Sequence, residues 1–190
     1  MLISLEGIDG CGKSTQSRLL ADALRAQGRE VVLTREPGGS PGAEEIRRLL
    51  VEGSGERWSP ETECLLFTAA RRDHLERTIR PALQAGQVVV TDRFADSTRV
   101  YQGAARGDLR DMVDRLHALM IGVEPDRTFV IDLDPAEAYY RDSLERAGAR
   151  TARDLAVMGL STPVPAAPGG LLGPSQGGAQ HHGVGAHGQG

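Results

Sequence analysis

The run Gly7-Ile8-Asp9-Gly10-Cys11-Gly12-Lys13-Ser14-Thr15 constrains this chain more than any other stretch. Ahead of it, Met1-Leu2-Ile3-Ser4-Leu5-Glu6 is short and apolar and reads as a buried strand. Behind it, Gln16 to Gln27 carries Leu19, Leu20, Ala23 and Leu24 at helical spacing. Strand, glycine loop and helix are the setting that the pattern G-x-x-x-x-G-K-[ST] requires. Glycines let successive backbone N–H groups turn inward toward a phosphate, and the helix N-terminus adds partial positive charge. Lys13 can then reach terminal phosphates, and the Ser14 hydroxyl can take a place on Mg²⁺. Lys13 is the sole lysine among 22 basic residues, the rest being arginine. A compact, flexible ammonium has been kept at the one place where a planar guanidinium is not equivalent.

At 190 residues the expectation is one α/β domain. A net charge of −4 argues against general nucleic-acid or membrane-surface binding, although local arginine clusters can still hold a phosphorylated small molecule. Cys11 and Cys64 are too few for a disulfide framework, and no stretch reads as a signal peptide or membrane span, so a cytoplasmic location is expected.

Residues 30–34 read as a second strand, followed by a Pro/Gly loop over 35–42 and a short helix over 43–52. Ser59 caps a long helix with Pro60 at its first position, running to about Ala85 and bending at Pro81. Gln87-Val88-Val89-Val90-Thr91 is a continuous apolar strand, as buried parallel strands are. A loop follows to Gly107, then a helix to about Gly122, a strand over 128–133 and a helix from Asp134 to about Ala147. Strand–helix repeats with right-handed crossovers give a doubly wound parallel sheet, with ligands at the C-terminal ends of its strands. Loops 7–15, 35–42 and 92–103 and the segment after 133 lie there.

Asp92, at the end of an apolar strand, is a partner for a metal or its waters, and Arg93 beside it can hold an acceptor phosphate; a structural ion pair is the plainer alternative. Phe67 and Arg71 share a helix face, a ring to stack on a base and a guanidinium to bond it, although a phenylalanine there is as readily core. Arg35 and Glu36 border the same edge or form a solvated pair. Ser97, Thr98, Tyr101 and Gln102 supply hydroxyls, an aromatic ring and an amide that can read a base and sugar, or make an ordinary polar loop.

Taken together, G-I-D-G-C-G-K-S-T, T-R-E-P-G-G, L-L-F-T-A-A-R-R, D-R-F and S-T-R-V-Y-Q-G, in this order and spacing, resemble bacterial thymidylate kinase over roughly residues 1–147. The resemblance implies a P-loop NTPase-type α/β fold with a parallel sheet flanked by helices, here in the order 2-3-1-4. It implies transfer of the γ-phosphoryl of ATP to dTMP with Mg²⁺, and a homodimer. By this likeness residues 7–15 bind ATP phosphates, Ser14 and Asp92 serve the Mg²⁺, Asp9 contacts the dTMP sugar, and Phe67 and Arg71 hold thymine. Arg93 holds the dTMP phosphate, bordered by Arg35 and Glu36. Ser97, Thr98 and Gln102 border the base, and Tyr101 sits against the sugar. Because the glycine loop carries no arginine before Lys13, the family pattern assigns charge stabilisation to a lid, with Arg141, Arg146, Arg150 and Arg153 as candidates.

The likeness fades near Asp154. From Leu155 to Gly190 there is no Asp, Glu, Lys or Arg, and the stretch holds ten glycines, four prolines and three of the five histidines. It reads as a disordered tail after a kinase domain of residues 1–154, in place of the family's fifth strand and last helices. Two alternatives follow: a remnant that at most binds nucleotide, and another small-molecule P-loop kinase.

Overall fold

The computed structural model describes residues 1–52, 57–104 and 108–139. Strands β1 (Leu2–Glu6), β2 (Val31–Arg35), β3 (Val88–Asp92) and β4 (Arg127–Val130) form one parallel sheet in the order β2-β3-β1-β4, as expected. Among the described residues the helices are α1 (Lys13–Ala26), α2 (Pro41–Val51), α3 (Pro60–His74), α4 (Arg80–Gln84), α5 (Ala95–Thr98) and α6 (Arg110–Met120), with residues 135–139 also helical.

Both faces of the sheet are covered at β1 and β3, which are near-continuous apolar runs, while the edge strand β4 is exposed along its length, with Phe129 and Val130 among its exposed residues. On one face Leu2 and Val89 pack with Leu75, Ile79, Ala82, Phe94 and Ile121. On the other, Ile3, Leu5, Val88 and Val90 pack against Leu20 and Leu24 of α1. Each fully buried aliphatic side chain contributes roughly 1.5–3 kcal/mol. The register pairs Leu5 with Asp92 and Arg35 with Asp92, so the C-terminal ends of β1, β2 and β3 lie level. Gly7, Glu36 and Arg93 therefore leave the sheet side by side.

Several boundaries differ from the sequence reading. The long helix is continuous to Gln84, close to the expected end, but changes register on the way: a π turn over Leu75–Ile79 joins α3 to α4. Pro81 has no N–H to give to the turn before it, and ahead of it the register widens, with the Arg80 N–H donating to the Leu75 carbonyl. Helix α2 starts at Pro41, not Ala43, because Asp73 of α3 accepts from the Ser40 hydroxyl at 2.7 Å and the Ala43 N–H at 3.2 Å. Segment 95–104 is helical, α5 running into a π turn over Arg99–Ala104, where a loop was expected. The partner that stabilises its start is remote: Glu6 of β1 accepts from the Phe94 N–H at 2.7 Å and the Ser97 hydroxyl at 2.6 Å. Strand β4 ends at Val130 rather than Leu133; pairing with β1 runs only to Glu6, after which the glycine loop turns away. The proposed domain end at 154 and the tail over 155–190 lie outside the described residues.

Candidate active site

The level strand ends open into a cleft of about 650 Å³. Every expected donor, acceptor or metal-site residue among the described residues lines it except Gly7, Ile8 and Cys11. Those three build the loop from beneath. Gly7 has φ 142°, and a Cβ there would meet the Ile131 carbonyl oxygen at 2.6 Å and Cys11 Sγ at 2.8 Å, so only glycine fits between them. The Ile8 carbonyl accepts from Lys13 Nζ at 2.6 Å. Gly12, at φ 92°, starts α1 with no side-chain cap, which leaves the first backbone N–H groups for a ligand. Lys13 is only 6% exposed, its ammonium folded back over the loop 4.0 Å from Asp9 Oδ1.

Beside the loop, Ser14 Oγ donates to Asp92 Oδ2 at 2.5 Å. A hydroxyl and a carboxylate at one point, next to uncapped helix N–H groups, form a hard-oxygen donor set that suits Mg²⁺ held partly by phosphates and water.

Arg93 follows at φ 72°, in the left-handed region that few non-glycine residues occupy. Such backbone costs about 1–3 kcal/mol and persists where its surroundings hold it. Here the Arg93 N–H donates to the Leu5 carbonyl at 2.9 Å, and the Thr91 hydroxyl donates to the Arg93 carbonyl at 2.9 Å. The turn aims the guanidinium back across the cleft, where it donates to Asp9 Oδ1 at 2.5 Å and Ser97 Oγ at 2.8 Å and lies 5.3 Å from the Tyr101 ring centre. Burial works against its charge, but the Asp9 carboxylate outweighs that and raises its pKa.

The far wall is a buried ion-pair network. Arg71 Nε donates to Glu36 Oε2 at 2.6 Å, and Arg71 Nη2 donates to the Phe94 carbonyl at 3.1 Å and Thr98 Oγ1 at 2.9 Å. Glu36 Oε1 lies 3.0 Å from His74 Nδ1, and His74 Nε2 lies 2.7 Å from Thr34 Oγ1. Burial pushes the Glu36 carboxyl up, yet the charge of Arg71 and the hydrogen bonds from His74 and Arg71 prevail and hold it below its ordinary value. Phe67 is half-buried at the cleft rather than in the core.

Arg35 and Glu36 do not pair with each other: Arg35 reaches Glu44 at 3.3 Å, at the surface. Gln102 is buried, with its amide 3.5 Å from Glu63 Oε2. Arg141, Arg146, Arg150 and Arg153 lie outside the described residues. Sequence reasoning missed Arg18 and Arg47, which line the cleft, and Glu6 and His74, which lie behind it. Glu6 was legible as the one charge closing an apolar strand. His74 stands three residues after Arg71, on the same side of α3, and that spacing was the only local signal.

A family model described as thymidylate kinase matches residues 5–156. The thymidylate kinase of Ruegeria pomeroyi is 73% identical over 135 residues, which make up 71% of this chain and 64% of that protein. That of Dinoroseobacter shibae is 71% identical over 147 residues, 77% of this chain and 71% of that protein. The chain thus spans about two thirds of the length of these curated relatives. The crystal structure of thymidylate kinase from Ehrlichia chaffeensis superposes with a TM-score of 0.66 at 41% identity, covering 84% of this chain and 97% of that one. A glycine loop, an Asp-Arg strand end and an arginine-lined far wall thus share one cleft in a chain whose match spans most of its length, and the chain belongs to the thymidylate kinase family.

Proposed function

We propose that this protein transfers the γ-phosphoryl group of ATP to dTMP, giving dTDP and ADP. The observation that carries the reading is the bond across the cleft from Arg93 to Asp9, which brings the acceptor-side arginine onto the nucleotide loop. A dTMP phosphate oxygen attacks the γ-phosphorus as the bond to the β-phosphate oxygen breaks. Such transfer rests on positioning and charge stabilisation and needs no covalent intermediate.

Residues 7–15 hold the ATP phosphates through backbone N–H groups, with Lys13 swinging from the Ile8 carbonyl to the terminal phosphates. Arg93 exchanges its Asp9 and Ser97 partners for the dTMP phosphate, and Asp9, 74% exposed, is then free for the sugar. Phe67 stacks on thymine and Arg71 bonds it; Ser97, Thr98 and Gln102 border the base, Tyr101 the sugar, and Arg35 and Glu36 the phosphate side. Ser14 and Asp92 hold Mg²⁺, which when bound offsets charge on the transferring phosphates. Arg141, Arg146, Arg150 and Arg153 supply lid charge. A homodimer and a cytoplasmic location complete the reading; no described helix is long and apolar enough to cross a membrane.

An acceptor panel tests it. With ATP and Mg²⁺, dTMP should support ADP formation far above dUMP, dCMP or shikimate. Preference for dCMP or shikimate would favour a different small-molecule kinase. Light scattering at micromolar concentration checks the dimer, which a purely monomeric mass would contradict.

A further inference from the structure

The hydrogen-bond chain behind the cleft ends on a residue that the reaction does not touch. His74 is fully buried and both ring nitrogens are engaged, Nε2 with the Thr34 hydroxyl of β2 and Nδ1 with Glu36. Among the described residues each oxygen of Glu36 has one partner, His74 on Oε1 and Arg71 on Oε2. Arg71 in turn spends Nε and Nη2 on protein groups, so among the described residues Nη1 is the guanidinium nitrogen left for a ligand in the cleft it lines. The turn after β2 is fitted to the imidazole as well. Gly39 has φ 85°, and a Cβ there would collide with His74 Nε2 and Thr34 Oγ1, while the Gly39 carbonyl accepts from Thr78 Oγ1 at 2.7 Å.

We infer that His74 is a positioning residue for the acceptor nucleotide, acting through Glu36 on Arg71. With Glu36 ionised, Nδ1–H donates to it and fixes the plane of the carboxylate. A bidentate role for Glu36, one oxygen to each partner, then fixes the direction of Arg71 Nε–H and hence of Nη1. Without the imidazole, Oε1 is a buried acceptor with no partner, and the carboxylate rotates to find one, carrying the guanidinium with it. The inference rests on the reading of Arg71 as the group that bonds the base of dTMP.

Steady-state kinetics on the full chain tests it with H74Q, H74N and T34V. Asn keeps an amide N–H near the place of Nδ1; Gln keeps one near Nε2 and loses the bond to Glu36. H74Q should raise KM for dTMP about tenfold or more while leaving KM for ATP near that of the wild type. H74N should recover most of that loss, and T34V should raise KM for dTMP about threefold. Unchanged KM for dTMP in H74Q, equal impairment of H74N and H74Q, or a parallel rise in both KM values overturns the role. If the histidine variants do not fold, T34V decides, since an unchanged KM for dTMP there also overturns it. A wild-type chain that binds ATP yet shows no dTMP-dependent turnover overturns the proposed function itself and this role with it. Normal dTMP turnover by the wild type with no KM effect in the variants overturns the role alone.

Discussion

The two walls of the cleft are made in opposite ways. The donor wall is nine contiguous residues, Gly7 to Thr15, and works mainly through backbone: glycines at positive φ, an uncapped helix start and a lysine folded onto the loop's own carbonyl. The wall proposed for the acceptor is side chains gathered from three separate segments, 34–36, 67–74 and 93–102, and its key bonds span 35, 38 and 40 residues of sequence. A backbone cradle is specified locally and tolerates change in all but a few positions. A buried network of Glu36, Arg71 and His74 is specified by the fold, and each member depends on the others. The first wall should therefore fail by losing chemistry, the second by losing stability and acceptor affinity together.

The largest expected effect breaks the donor wall. Lys13→Ala should lower the rate of ADP formation by about 10³-fold or more with little change in melting temperature, as read in a coupled assay and by thermal shift. Arg93→Ala, at the seam between the walls, should cost about 10²–10³-fold in kcat/KM for dTMP, with ATP binding retained in calorimetry. A variant with normal dTMP kinetics would separate Arg93 from the acceptor.

Glu36→Ala should break the acceptor wall by stability, because it leaves the Arg71 charge buried without its carboxylate. Removing one partner of such a pair costs about 3–5 kcal/mol, measured by urea unfolding. Asp22→Ala, which breaks the exposed Arg25–Asp22 pair, should cost under about 1 kcal/mol. The pH dependence has a definite sign. The Glu36 carboxyl lies below its ordinary value of 4.5 in the folded chain, so its contribution is present above that value and is lost as pH falls through the lower folded value. The stability gap between wild type and Glu36→Ala should therefore shrink below about pH 4.5.

Glu6 should give the smallest effect and the opposite sign. Burial raises its pKa, and the bonds from Ser97 and Phe94 offset this only in part. Its contribution is full at low pH and is lost as pH rises through the raised folded value. Gln at position 6 keeps an acceptor for the Phe94 N–H and removes the titration. Glu6→Gln should melt at or above the wild-type temperature at pH 8 and lose that advantage toward pH 4, in a thermal-shift series. A large loss at pH 8 would show that Glu6 is held charged by partners stronger than those seen.

The same contrast explains what could be read in the sequence. The glycine loop and the Asp92-Arg93 strand end follow from patterns within a few residues, whereas the strand order came only with the family resemblance. The pairing of Ser14 with Asp92 follows once β1 and β3 are neighbours. The helical start at Ala95 did not follow, because its stabilising carboxylate is Glu6, 88 residues from Phe94. Nor did the burial of Glu36, which beside Arg35 looked like half of a solvated pair; its partners come from α3. His74 offered only its spacing from Arg71, because a histidine on a helix carries no mark of what folds against it.

Under the proposed function both walls serve one transfer. It is tested most directly by the initial rate of ADP formation from ATP and Mg²⁺ with and without dTMP, for the full chain beside Lys13→Ala. The expected result is dTMP-dependent turnover that Lys13→Ala abolishes. A folded wild-type chain with no dTMP-dependent ADP, or with turnover that survives Lys13→Ala, would contradict it.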